Sequence, residues 1–446
     1  MKSTNDLTTG NIKKTLVLFA LPYLLSCFMQ TFYGMADLII VGIYNGSETT
    51  TAVSIGSQVI HMLTVVIAGL AMGATVTIGH DIGQKNEMGV KKTITTTVVL
   101  FTTIAIVMTA VLLLLTKQIT TVMMTPDEAV GETIEYLSIC FAGIPFIMAY
   151  NVISSMFRGF GDSKHPMYFV GIACLVNVIL DFLFIGTFGM GAVGAAIATV
   201  CGQAVSVFIS LIMMRRMKLG VHISRTQLHM EHKSIRSILK VGIPIAMQDG
   251  LIQVAFIIIT VIANSRGLVV AASVGIVEKI ISFLFLVPSA FLSAISVITA
   301  QNIGAKHSER ATHALRFGLM VTVSWGLICC LISQVFPHML LSLFTKESEV
   351  IQVGCEYLRS YSFDCIFAAV HFCFSGYFCG CQKSQISFIH NIISITLVRV
   401  PGAYFASKLF PNSLFPMGFA APIGSFLSAV ICILFFWHGK KTSEKG

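Results

Sequence analysis

The chain has 446 residues, of which 55% are hydrophobic and only 11% charged, whereas a soluble globular protein carries about 25% charged residues. Apolar runs long enough to cross a bilayer, about 20 residues each, recur from end to end, leaving no room for a sizeable soluble domain; this excludes a receptor with a large extramembrane part. The net charge of +9 sits in the connections between those runs, where membrane topology places it, so it does not mark a nucleic-acid surface.

Met1 to Gly10 is polar. The first apolar stretch, Leu16 to Ile43, is too long for a signal-peptide core and is expected to be retained as a helix. Spans are predicted near 14–43, 51–79, 93–115, 131–157, 166–186 and 191–214, then 238–263, 269–300, 312–336, 351–379, 386–408 and 416–437. The expectation is an all-α polytopic membrane protein with twelve transmembrane helices in two pseudo-symmetric six-helix lobes. The lobes are expected at 1–214 and 238–446, joined by a cytoplasmic linker at 215–237. Assigning the N-terminus, every second connection and the C-terminus to one side gathers Lys13, Lys14, Lys85, Lys91, Lys92, Arg158, Lys164, Arg215, Arg216, Lys306, Arg310, Arg316 and Lys383 there. The other side keeps only Lys117, Arg266, Lys346, Arg359 and Lys408. Both termini are therefore expected in the cytoplasm, with the chain a multi-pass protein of the plasma membrane.

The halves repeat. Ile82-Gly83-Gln84-Lys85 is matched by Ile303-Gly304-Ala305-Lys306, Tyr136 by Tyr357, and Phe157-x-Gly159 by Phe378-x-Gly380, all 221 residues apart. Six spans per half make this a parallel repeat about an axis along the membrane normal, an arrangement that encloses a central pathway.

Ionisable residues at membrane depth are costly and therefore functional candidates. Asp37 lies near the outer end of the first span. Asn177 and Asp181 are four apart in the fifth and share a helical face. Asp181 and Thr199 flank the Gly186 to Gly194 turn symmetrically, so they reach similar depths. Two carboxylates, an amide and a hydroxyl can thus meet if the first, fifth and sixth helices touch. Hard oxygens suit a small cation such as Na⁺, and a carboxylate pair suits a shared proton; a neutral structural cluster is the alternative.

The second half does not copy this set, because Asp181 falls on Gly402. Its polar residues at depth are Gln248, Asp249, Gln253, Glu278, Lys279, Asp364, His371 and Arg399. Arg399 is expected to snorkel or pack against carbonyls. Candidates for a substrate cavity are Met29, Phe32, Tyr33, Met148, Asn151, Gln248, Gln253, Glu278 and Asp364. Pro22 interrupts the helix that bears Asp37 and permits a bend. The twelve cysteines have no zinc or disulfide spacing and read as small hydrophobes. The histidines from His222 to His232 read as solvated.

Met35-Ala36-Asp37 with Val41-Gly42, Gln301-Asn302-x-Gly304, Arg158-Gly159-x-Gly161-Asp162, and Asn177-x-x-x-Asp181 with Ala196-x-Ala198-Thr199 together resemble the multidrug and toxic compound extrusion (MATE) family over essentially the full length. The resemblance implies two six-helix lobes, alternating access, and export of bulky amphipathic or cationic organic compounds, including drugs, driven by Na⁺ or H⁺. It also implies a cation site at Asp37, Asn177, Asp181 and Thr199, a bending proline at Pro22, no cofactor, and a lipid-embedded chain acting as a monomer on small molecules. Some members use a further acid in the seventh helix, where this chain has Ile252 and Gln253. A lipid or oligosaccharide flippase is the alternative within transport, and it calls for a more basic interior. A membrane-embedded enzyme is disfavoured because no nucleophile and base, or metal cluster, recurs at membrane depth.

Overall fold

The computed structural model describes residues 6–217 and 231–443, so the linker histidines His222 and His229 lie outside the described residues. Apolar composition gives helix throughout, since in hydrocarbon every backbone polar group must be satisfied within its own segment. Among the described residues there are twelve spans, each bent pair counted as one: α1 Ile12–Tyr44, α2 Ser47–Gly83, α3 Glu87–Leu114, α4 Asp127–Ala142 with Ile144–Gly159, α5 Lys164–Thr187, α6 Gly191–Arg216, α7 His232–Asn264, α8 Leu268–Gly304, α9 Ser308–Val335, α10 Ser348–Tyr361 with Asp364–Gly380, α11 Ser384–Leu409 and α12 Phe415–Gly439. The predicted spans fall on these helices. What the apolar pattern does not reveal is that α4 and α10 are broken in their middles, by 47° and 45° respectively.

Contacts divide the chain into two compact units. Among the described residues, unit 1 comprises Asp6 and residues 21–246, and unit 2 comprises Leu7–Ala20 and residues 247–443. The first part of α1 thus belongs with unit 2, and the first part of α7 with unit 1. Each division falls within two or three residues of a helix-interior proline, Pro22 in α1 and Pro244 in α7. Proline removes an amide donor and disturbs the preceding turn, which suits a place where a helix passes from one packing environment to another.

The start of each divided helix is tied down by hydrogen bonds. In unit 2, the Leu7 amide donates to Gln301 Oε1 at 3.3 Å and Asn302 Nδ2 to the Leu7 carbonyl at 3.2 Å, while Arg310 donates to the carbonyls of Thr9 and Gly10. In unit 1, the Glu231 amide donates to Thr96 Oγ1 at 3.2 Å and its carboxylate accepts from Lys92 at 2.8 Å. Small residues let α7 pack closely on α2: a Cβ on Gly73 would stand 2.1 Å from the Ile238 carbonyl oxygen, and one on Gly242 would stand 2.4 Å from that of Leu70.

The repeat extends to backbone detail. Lys85 and Lys306, 221 residues apart, both take positive φ, 56° and 62°, and Gly161 at 83° is matched by Gln382 at 58°. Gly159 packs against Ile78 and the Thr75 carbonyl, and Gly380 packs against their counterparts, Thr299 and the Ser296 carbonyl. All twelve cysteines are free, and several, including Cys140 and Cys373, are packed in the apolar cores as small hydrophobes.

Candidate functional site

Asp37 on α1, Asn177 and Asp181 on α5, and Thr199 on α6 are 3%, 0%, 0% and 6% exposed in unit 1. Local sequence accounts for each placement. Asn177 and Asp181 close the regular part of α5, which widens to π geometry directly afterwards over Phe182–Thr187, an irregularity often found at functional sites. Thr199 follows the small, fully buried residues Ala195, Ala196 and Ala198. Gly202, one turn later, brings α6 against α5, since a Cβ there would stand 3.1 Å from the Ala173 carbonyl oxygen and 3.2 Å from Asn177 Cβ.

The three helices do touch at these residues. Thr199 Oγ1 donates to Asp37 Oδ2 at 3.4 Å, and Asn177 and Asp181 lie close enough to act on Asp37 directly. Asp37 Oδ1, both oxygens of Asp181 and both amide atoms of Asn177 are shielded from solvent without a hydrogen-bond partner, as is the Tyr33 hydroxyl. Tyr33 and Tyr136 are near enough to feel the Asp37 charge, and Tyr136 is anchored by the Ser57 hydroxyl at 3.1 Å. Native proteins leave few buried polar atoms unpaired. A concentration of orphaned oxygens is the donor set of a small hard cation, and two neighbouring carboxylates can also share a proton.

The other candidate residues are scattered. Tyr33 joins the acid cluster. Phe32 is 61% exposed and stacks on Phe28 at 6.5 Å. Met29 turns to α5, where its carbonyl accepts from Cys174 Sγ at 3.5 Å. Met148 and Asn151 are buried in unit 1, the Asn151 amide donating to the Ile147 carbonyl at 2.9 Å. In unit 2, Gln248 donates to its neighbour Asp249 at 3.4 Å, and Gln253 is half-buried farther along α7.

Glu278 and Asp364 lie near enough to act on the charge of Arg399, which does not snorkel. Its Nη2 donates to the Tyr361 hydroxyl, and its guanidinium carbon lies 5.0 Å from the Phe256 ring centre and 5.7 Å from that of Tyr361. Aromatic faces and nearby acids offer the charge more than lipid-facing carbonyls would. Nothing in the sequence around Arg399 signals Phe256 or Tyr361, which come from other helices.

The MatE family model matches residues 22–183 and, a second time, residues 244–405. The chain belongs to the MatE family of membrane transporters. The two matched copies begin at Pro22 and Pro244, so the repeat read from the sequence is the family's own. This MatE chain is 30% identical over 442 residues to a probable multidrug resistance protein of Bacillus subtilis, YpnP, covering 99% of this chain and 98% of the relative. It is 26% identical to the probable multidrug resistance protein NorM of Thermotoga maritima, covering 96% and 93%. Among solved structures it shares the fold of a MATE transporter in a bent conformation, with TM-score 0.93, 22% identity and coverage of 100% and 99%. It also shares the fold of a transporter of the wider superfamily from Pyrococcus furiosus, with TM-score 0.90, 23% identity and coverage of 96% of each chain.

Proposed function

We propose that this MatE chain is a cation-coupled antiporter that exports bulky amphipathic or cationic organic compounds, drugs among them. It works by alternating access, as a monomer in the plasma membrane with both termini cytoplasmic. Asp37, Asn177, Asp181 and Thr199 hold the coupling ion, Na⁺ or H⁺. The observation that carries this reading is the set of orphaned oxygens on Asp37, Asn177 and Asp181, which a bound cation or proton would satisfy. The named relatives, described as multidrug resistance proteins, support the substrate class.

A ligand drives a conformational equilibrium only through unequal affinity for its two states. Asp37 shares α1 with Pro22, which leaves a helical carbonyl one turn earlier without its donor. Occupancy of the site therefore biases the bend of α1 and with it the access of substrate. The test is ethidium efflux from proteoliposomes with Na⁺ and pH gradients imposed separately. The wild-type protein is expected to respond to one gradient, which identifies the ion, and Asp37→Asn to lose gradient-driven efflux at least tenfold. Full efflux by Asp37→Asn would rule the site out.

A further inference from the structure

Unit 2 does not repeat the carboxylate pair of unit 1. At the offset of 221 residues Asp37 and Asp181 fall on Ile258 and Gly402, neither of them an acid. Gly402 and Ala420 pack together, a Cβ on Gly402 standing 3.3 Å from Ala420 Cβ. The charge that unit 2 carries at membrane depth includes Glu278, Asp364 and Arg399, with Phe256 and Tyr361 beside Arg399.

Phe256 and Tyr361 surround the Arg399 guanidinium, and Glu278 and Asp364 lie near enough to act on its charge. The Arg399 guanidinium lies over the rings of Phe256 and Tyr361 and donates to the Tyr361 hydroxyl. Glu278 and Asp364 both act on it electrostatically, yet neither forms an ion pair with it within 4.0 Å among the described residues. Asp364 is 0% exposed and neither oxygen has a hydrogen-bond partner; one oxygen of Glu278 and Arg399 Nε are also unpartnered. Two aromatic faces, a phenol and two carboxylates would bind a free organic monocation equally well. Here the chain provides one of its own.

We propose that Arg399 is the resident cation of a monocation cage in unit 2. It balances the fully buried Asp364 and leaves Glu278, which is only partly buried, to engage one mobile organic monocation of the ammonium or guanidinium class. An arginine stays charged under all physiological conditions, so with both carboxyls ionised the cage has a net charge of −1 and takes one positive charge. Arg399 thereby sets the charge of what unit 2 accepts. The inference rests on contacts within unit 2 and stands apart from the coupling site in unit 1.

The test uses the full-length purified protein and methylguanidinium at millimolar concentration, with KCl at equal ionic strength as the control. Arg399→Ala should unfold at lower temperature than wild type. Methylguanidinium should restore its midpoint saturably, as a ligand of the native state does, and should raise the wild-type midpoint by less, because there only Glu278 is left to engage it. Restoration by KCl alone, or none at all, would overturn the proposal.

If Arg399→Ala does not fold, the pair Arg399→Gln and Arg399→Gln with Asp364→Asn decides. The double variant regains the net charge of −1 and should be more stable than the single one; additive losses would count against the assignment. Tetraphenylphosphonium should bind Arg399→Gln about tenfold more tightly than wild type, because a like charge has been removed. Unchanged or weaker binding would contradict the role of Arg399. Adding Asp37→Asn to Arg399→Ala should leave rescue by methylguanidinium intact, which separates a failure here from a failure of the coupling mechanism.

Discussion

At the scale of single residues, the site in unit 1 is held by few contacts of its own. The bond from Thr199 to Asp37 is long, at 3.4 Å, and a neutral hydrogen bond of this kind contributes about 1 kcal/mol. Thr199→Val should therefore raise the concentration of coupling ion needed for half-maximal efflux about fivefold without abolishing transport, as read from efflux against imposed ion concentration. Asp181→Asn should have the larger effect, since it removes a charge. The positions of these residues were legible because helical spacing puts Asn177 and Asp181 on one face and the Gly-rich turn sets Thr199 level with Asp181. Arg399 was misread, because its partners Phe256 and Tyr361 are distant in sequence and spacing along α11 says nothing about them. Met148 and Asn151 show the converse: apolar or amide character alone does not distinguish a cavity wall from the packed interior in which they lie.

At the scale of elements, glycine decides how closely helices approach. A Cβ on Gly242 would fall 2.4 Å from the Leu70 carbonyl oxygen, and backbone cannot give way as a side-chain tip can. Gly242→Ala should destabilise the protein by about 1–3 kcal/mol, as overpacking does, lowering the thermal midpoint in detergent. Gly42→Ala, on α1 with nothing within 4 Å of the added atom, should be neutral or slightly stabilising and serves as the control. The twelve spans were legible because length and apolarity define them. The breaks in α4 and α10 and the π segments Phe182–Thr187 and Ser394–Arg399 were not, since tertiary packing chooses where a long apolar helix bends.

At the scale of the whole molecule, the strap at Glu231 is sensitive to pH. The Lys92 ammonium, 2.8 Å away, holds the Glu231 carboxyl below its ordinary value near 4.5. A carboxyl whose value is lowered on folding contributes stability above its unfolded value, and that contribution is lost as pH falls through the lowered one. Protection of the amides at the start of α7, taken relative to their intrinsic exchange rate at each pH, should be unchanged from pH 7 to 5 and lower at pH 3.5. Lys92→Gln should reduce that step. The side chains are 49% and 33% exposed, so added salt should weaken the contact as well.

The division of α1 and α7 at Ala20 and Ala246 also orders events during synthesis. Residues 7–20 leave the ribosome long before residues 247–443, with which they form one unit, have been made. Unit 1 in turn is incomplete until the opening of α7 has emerged. A gene cut at the linker should therefore yield two fragments, neither of which folds to completion alone, and which recover a native protein only when produced together.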